Sequence, residues 1–177
     1  MKSWQRSLWE TVRFVVVTLL IVIPIRAYVA QPFIVSGVSM VPAFQDGEYL
    51  IVDELSYHFA PPARDEVIVF KYPKDPSKYF IKRIIGLPGE TVTIQNNQIS
   101  VASNGQKIVI NKPVIPNQIL APGTFNLGPK QYFVLGDNRN MSLDSRVWGP
   151  VPENLITGRV LFRLFPFGRA GLWPAAV

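Results

Sequence analysis

Val67-Ile68-Val69-Phe70-Lys71-Tyr72, a break across Pro73 to Lys78, and Tyr79-Phe80-Ile81-Lys82-Arg83-Ile84-Ile85 closed by Gly86-Leu87-Pro88-Gly89 read as two β-strands bounded by Pro and Gly. Runs rich in Val, Ile, Phe and Tyr fit a pleated, half-buried surface. Working outward, similar short runs predict strands at 33–35, 49–52, 91–95, 107–111, 132–135 and 158–165. Most of the 16 Pro and 12 Gly lie after Gln31, between these runs, and Asn96-Asn97 and Asn104-Gly105 are turn signals. No fixed-period repeat or low-complexity tract interrupts the pattern. The expected fold class is mainly β, preceded by one N-terminal helix.

Within the run 79–85, strand alternation places Phe80, Lys82 and Ile84 on one face. A lysine with a pKa near ~10.4 is only about a thousandth neutral near neutral pH, which makes it a poor base in water. Burial among apolar side chains disfavours the ammonium and lowers that pKa. The competing reading is a solvated lysine whose stem lies along the strand while its head stays in water.

Composition narrows the chemistry. With 177 residues and 48% hydrophobic content, the chain can build one core domain and a short appendage. It has no Cys and a single His, His58, which excludes disulfides and thiolate sites and leaves too few ligands for zinc. No metal and no cofactor is expected. The net charge of +6 is spread along the chain without a basic helix or interleaved aromatics, so nucleic acid is not the expected partner. Anionic lipid headgroups account for the same charge.

The run Phe14-Val15-Val16-Val17-Thr18-Leu19-Leu20-Ile21-Val22-Ile23-Pro24-Ile25 is flanked by Arg13 and Arg26. Extended over 12–30 it has the length of a spanning helix, with Trp4, Trp9 and Tyr28 suited to the interfaces and Pro24 as a kink. A cleaved leader is the rival reading, but a cut after Ala30 would put Tyr28 where a small residue is needed. Lys2, Arg6 and Arg13 precede the run, and Asp46, Glu48, Asp53 and Glu54 follow it, so the N-terminus is expected on the cytoplasmic side. The expected organisation is a cytoplasmic segment 1–11, a transmembrane anchor 12–30 and an outer β domain 31–177. The expected location is a plasma or thylakoid-like membrane.

Three separated blocks carry a resemblance. They are Ser36-Gly37-Val38-Ser39-Met40-Val41-Pro42, then Lys82-Arg83-Ile84-Ile85-Gly86-Leu87-Pro88-Gly89, and then Gly136-Asp137-Asn138-Arg139-Asn140-Met141-Ser142-Leu143-Asp144-Ser145-Arg146. In this order, behind an apolar N-terminal run, they resemble the type I signal peptidases, membrane proteases with a Ser/Lys dyad. The resemblance implies a mainly β barrel or sheet with its site close to the membrane surface. It implies Ser39 as nucleophile, Lys82 as general base, and Ser142 as the group that hydrogen-bonds and orients the amine. It implies Asp144 and Arg146 as a supporting pair, with Arg83 and Asp137 as further supporting charges.

Shallow pockets for small side chains before the cut are implied at Phe33 and Val35, with Met40, Phe80 and Ile81 as further candidates. The implied partners are signal peptides of exported precursors and the lipid bilayer, with the export translocon as an additional candidate. Many relatives offer a second oxyanion donor from a Ser two residues before the nucleophile, where this chain has Gly37. Ala43-Phe44, Glu90 and Asp65-Glu66 also depart from the common pattern. The C-terminal aromatics Phe162, Phe165, Phe167 and Trp173 suit either a lipid-facing surface or core filling.

Other readings are weaker. His58 lies in a Pro-rich, turn-like stretch without a triad motif, and Ser39 lacks the glycine that completes a nucleophile elbow. The sequon at Asn140-Met141-Ser142 falls inside the third block and is incidental. A self-cleaving repressor of the SOS type pairs Ser with Lys but would carry a DNA-binding domain in place of the apolar run. The non-enzymatic alternative is a membrane-tethered β module that binds peptides.

Overall fold

The run that opens the second strand does so earlier than its punctuation suggests, because Pro76 is accommodated inside a long strand. A computed structural model describes residues 3–24, 30–103, 105–110 and 120–174. Helix α1 (Ser3–Pro24) is followed by β1 (Ala30–Ile34), β2 (Tyr49–Asp53), β3 (Val67–Tyr72), β4 (Asp75–Gly86), β5 (Thr91–Gln95), β6 (Gln98–Ser103) and β7 (Gln106–Ile110). Then come β8 (Gly123–Asn126), β9 (Gln131–Leu135), the single turn α2 (Ser145–Trp148), β10 (Val151–Pro152), β11 (Ile156–Phe165) and β12 (Gly171–Leu172). The mainly β expectation holds.

The strands form two sheets. The larger runs β1-β2-β11-β3-β4-β9-β10 with β12 beside β11, and the smaller runs β7-β6-β5-β8. In the larger sheet β4 lies between β3 and β9, with Ile68 opposite Lys82 and Leu135 opposite Arg83. In the smaller one, Gln95 pairs with Gln98 across Asn96-Asn97, both at positive φ (49° and 63°), as a tight two-residue hairpin turn requires.

Apolar side chains gather in three clusters. Val35, Met40, Phe44, Leu50, Val52, Val67, Val69 and Val160 pack between β1 and β3, under the loop that follows β1. Ile68, Phe70, Ile84, Tyr132, Val134 and Val151 form a second cluster, against which Phe80 and Trp148 pack. A third joins Val92, Ile94 and Val101 of the smaller sheet to Ile85 of β4 and Phe133 and Leu135 of β9 in the larger one. Full burial of one such Phe or Leu stabilises by about 1.5–3 kcal/mol.

Helix α1 runs from Ser3 to Pro24; of the expected anchor 12–30, residues 25–29 lie outside the described residues and Ala30 opens β1. Among the described residues no helix is long and apolar enough to cross a membrane. Asn111 and Asn104, expected at a strand end and a turn, also lie outside the described residues.

Candidate active site

After β1 the chain passes Gly37, whose φ of +93° is a left-handed conformation that side chains resist, and enters a turn carrying Ser39. Amide-to-carbonyl bonds from Val41 to Val38 and from Phe44 to Met40 close that turn, and Phe44 is wholly buried beneath it. Lys82, by contrast, projects from the middle of β4, where the backbone is fixed by strands on both sides.

The Lys82 Nζ donates to Ser39 Oγ at 2.8 Å and to the Ile81 carbonyl at 2.9 Å. Only 4% of Lys82 is exposed, and its Nζ lies 5.4 Å from the centre of the Phe80 ring, as strand alternation predicts. Burial strips water from the ammonium and pulls its pKa down to about 8, while the Asp144 and Asp137 carboxylates resist the fall. The solvated-lysine reading is therefore overturned.

The third block wraps around this pair. Asn138 donates its amide to the Ser39 carbonyl at 2.9 Å and its side-chain NH2 to the Val38 carbonyl at 3.3 Å. Asp144, fully buried, accepts from the Gly136 amide at 3.1 Å and from Arg146 Nε and Nη2 at 2.7 and 2.8 Å. Arg146 also donates to the Arg139 carbonyl at 2.6 Å. Arg83 grips Asp137 through Nε and Nη2 at 2.8 and 2.7 Å, and its Nη1 donates to the Asp65 carbonyl. Such two-pronged pairs hold their loops more rigidly than single-point contacts.

Ser142 stands apart from its expected role. Its Oγ is buried and makes no hydrogen bond, so the anticipated bond to the Lys82 amine is absent from this structure. It is nonetheless close to the turn that carries Ser39. A Cβ on Gly136 would fall 2.2 Å from Ser142 Oγ and 2.6 Å from the Ser39 carbonyl oxygen, so Gly136 is wedged between the two.

A groove of about 290 Å³ opens beside Ser39 and Lys82. Phe33, Val35, Phe80 and Ile81 line it as anticipated, but Met40 does not: it is 1% exposed and packs in the core with Phe44 and Leu50. Sequence reading missed Tyr79, Leu50, Val69 and Leu143, which also line the groove. Strand alternation gave a signal for Tyr79 alone, whose ring lies 5.3 Å from that of Phe33.

His58 lines a different pocket, with Glu54, Tyr57 and Pro61, and accordingly plays no part around Ser39. Among the described residues, no group of His, Asp and Glu could hold a metal ion. Of the C-terminal aromatics, Phe165, Phe167 and Trp173 are exposed, and Phe167 stands edge-on to Phe165 at 5.6 Å.

Known proteins share this chain's pattern. A crystal structure of a signal peptidase I from Enterococcus faecalis is 28% identical and covers 57% of this chain and 97% of its own, with a TM-score of 0.49. "Probable signal peptidase I-1" of Synechocystis sp. is 39% identical over 180 residues, 95% of this chain and 87% of its own. Signal peptidase I of Leptolyngbya laminosa is 37% identical over 177 residues, 93% of this chain and 83% of its own. The family described as signal peptidase, peptidase S26, matches residues 8–165. On that match and those relatives, the chain belongs to the signal peptidase family, peptidase S26, and is a serine endopeptidase.

Proposed function

We propose that this protein removes signal peptides from exported precursors after small residues of the Ala-x-Ala type, using Ser39 as nucleophile and Lys82 as general base. The observation that carries the reading is the 2.8 Å contact between a buried Lys82 amine and the Ser39 hydroxyl at the edge of an apolar groove. Neutral Lys82 accepts the Ser39 proton as Ser39 Oγ bonds to the scissile carbonyl carbon. The tetrahedral intermediate collapses, Lys82 returns the proton to the departing amine, and the C–N bond breaks. Water then attacks the ester with Lys82 again accepting a proton, which releases the signal peptide's carboxylate and restores Ser39.

The negative oxygen of each tetrahedral intermediate needs donors, and losing one donor typically costs roughly 10²–10³ in rate. The Ser39 amide has no acceptor among the described residues, which suits it to that role. The Gly37 amide is already committed to Asp46 Oδ1 at 2.7 Å. The groove beside Phe33, Val35 and Ile81 suits small apolar side chains, with an extended peptide entering alongside β1.

Membrane attachment through the N-terminal segment belongs to the same proposal. The exposed Trp9, Phe14 and Leu20 of α1 are surface that lipid would cover, and the apolar sequence continues to Ile25. Such an anchor would hold Ser39 on the outer face, near where a signal peptide leaves the bilayer.

The test is to incubate the purified protein with a precursor carrying an Ala-x-Ala site and to identify the new N-terminus by sequencing. Cleavage after the second Ala is expected, together with at least about a tenfold fall when that Ala is replaced by Leu, because a few extra carbons alter binding by about 1–3 kcal/mol. No cleavage of any precursor would favour a peptide-binding module instead.

The pH dependence has a definite sign. Neutral lysine is the active form, so kcat/KM should be low below the Lys82 pKa and should rise through about pH 8 to a plateau. Direct titration of the folded protein by 15N NMR should locate the same transition. A Lys82 pKa near ~10.4, that of an exposed lysine, would sink the base assignment.

A further inference from the structure

Beneath the turn that carries Ser39 lies a charged group that the chemistry above does not use. Glu48 is 2% exposed, yet no neighbour in sequence neutralises it. Two arginines from more than a hundred residues further along the chain, brought alongside by the pairing of β11 with β2, do so: Arg163 of β11, with Nε 3.0 Å from Oε2, and Arg169 beyond β11, with Nη1 2.8 Å from Oε1. The N–H directions miss the carboxylate oxygens, so these are contacts between charges and not aligned hydrogen bonds.

The aligned bonds of both arginines go elsewhere. Arg163 Nη2 donates to the Ala43 carbonyl, and Arg169 Nη2 to the Pro42 and Ala43 carbonyls at 3.2 and 3.4 Å. The Arg163 guanidinium also lies 5.0 Å from the centre of the Phe44 ring. These carbonyls sit in the turn just after Ser39, where no strand partner is available. Glu48 acts on the other side of the turn through its backbone, its carbonyl accepting from the Val35 amide at 2.9 Å.

A buried ion cluster is a poor route to stability alone, since apolar residues of similar volume often pack as well or better. What apolar residues could not do is hold two donors against the carbonyls of the nucleophile turn. We infer that Glu48, Arg163 and Arg169 are positioning residues: Glu48 orients the two guanidinium groups, and these fix the turn so that Ser39 Oγ meets Lys82. The inference rests on the Ser39/Lys82 reading, and its logic is geometric, because displacement of a reacting group by about 1 Å can cost roughly a hundredfold in rate.

The substrate for the test is a synthetic peptide spanning an Ala-x-Ala signal-peptide cleavage site, in detergent micelles, with full-length protein. Arg169 is partly exposed, so Arg169→Ala should fold, with its melting temperature close to wild type. It should lower kcat about 10- to 100-fold with KM within about twofold, leaving the pH midpoint of kcat/KM unchanged. Arg169→Lys, which can still reach one carbonyl, should recover part of that loss. Glu48→Gln should lower kcat in the same way, and the double variant should be no worse than the poorer single one, as expected of groups acting as a unit.

A kcat for Arg169→Ala within twofold of wild type would overturn the inference, as would losses that simply track melting temperature or multiply in the double variant. Ser39→Ala in the same assay separates the two levels. If it still cleaves, the dyad fails; if it is inert while Arg169→Ala is fully active, only the positioning role fails.

Discussion

Ser39→Ala and Lys82→Ala are each expected to abolish measurable cleavage of an Ala-x-Ala precursor. Without Oγ no ester can form. Without the amine, the Ser39 hydroxyl loses the base 2.8 Å away, and general-base catalysis alone is worth about 10²–10⁴ in rate. In enzymes whose nucleophile and base act as one unit, removing either costs nearly as much as removing both. The double variant should therefore match the singles.

Lys82→Arg is the sharper comparison. It keeps a cation next to Asp144 and Asp137 but cannot lose its proton near neutral pH, so it should be as inactive as Lys82→Ala. The measurement is initial rate per folded protein, with folding checked by circular dichroism. Cleavage by Lys82→Arg at more than a few per cent of wild type would show that the positive charge, and not the proton acceptor, is what matters.

Gly136→Ala is expected to impair both stability and activity severely for the addition of one methyl group. Its new Cβ would collide with Ser142 Oγ at 2.2 Å, Ser142 Cβ at 2.6 Å and the Ser39 carbonyl oxygen at 2.6 Å. The serine side chain could rotate away, but the Ser39 carbonyl is backbone and is tied to the Asn138 amide at 2.9 Å. Relief must come from shifting the nucleophile turn. Overpacking of this kind costs typically about 1–3 kcal/mol of stability, and a displaced nucleophile loses roughly a hundredfold in kcat. Gly168→Ala is the control, since a Cβ there meets nothing within 4 Å, and it should stay within about 0.5 kcal/mol of wild type in urea unfolding. Equal behaviour of the two variants would mean that the close packing around Gly136 is not felt.

Much of this arrangement was legible in the residues, for identifiable reasons. Lys82 could be placed because period-two alternation on a strand fixes which neighbours share its face, and Phe80 does share it. Strand β6 is hard to read from sequence because Ile99 and Val101 are its only large apolar residues, and its buried Ser100 reads as polar surface. β8 has Phe125 as its sole large apolar residue. Met40 and Val35 look alike as apolar neighbours of Ser39 and share one core cluster, and only the packed structure shows that Val35 also reaches the groove while Met40 does not. The Ser142 bond depends on where one hydroxyl points, which no spacing rule determines. In the sequence Glu48 reads as one of several acidic residues that follow the apolar run; its arginine partners lie far along the chain and leave no local pattern.

Strand β11 enters the larger sheet between β2 and β3, pairing with both. During synthesis, then, the turn bearing Ser39 and the strand bearing Lys82 emerge long before the strand that joins their halves of the sheet. Pairings between segments so distant in sequence form slowly, because the loop entropy must be met before the contacts repay it. A ribosome-bound chain should consequently remain a latent protease, with Ser39 and Lys82 both made but not yet brought together, until residues near 165 have left the exit tunnel.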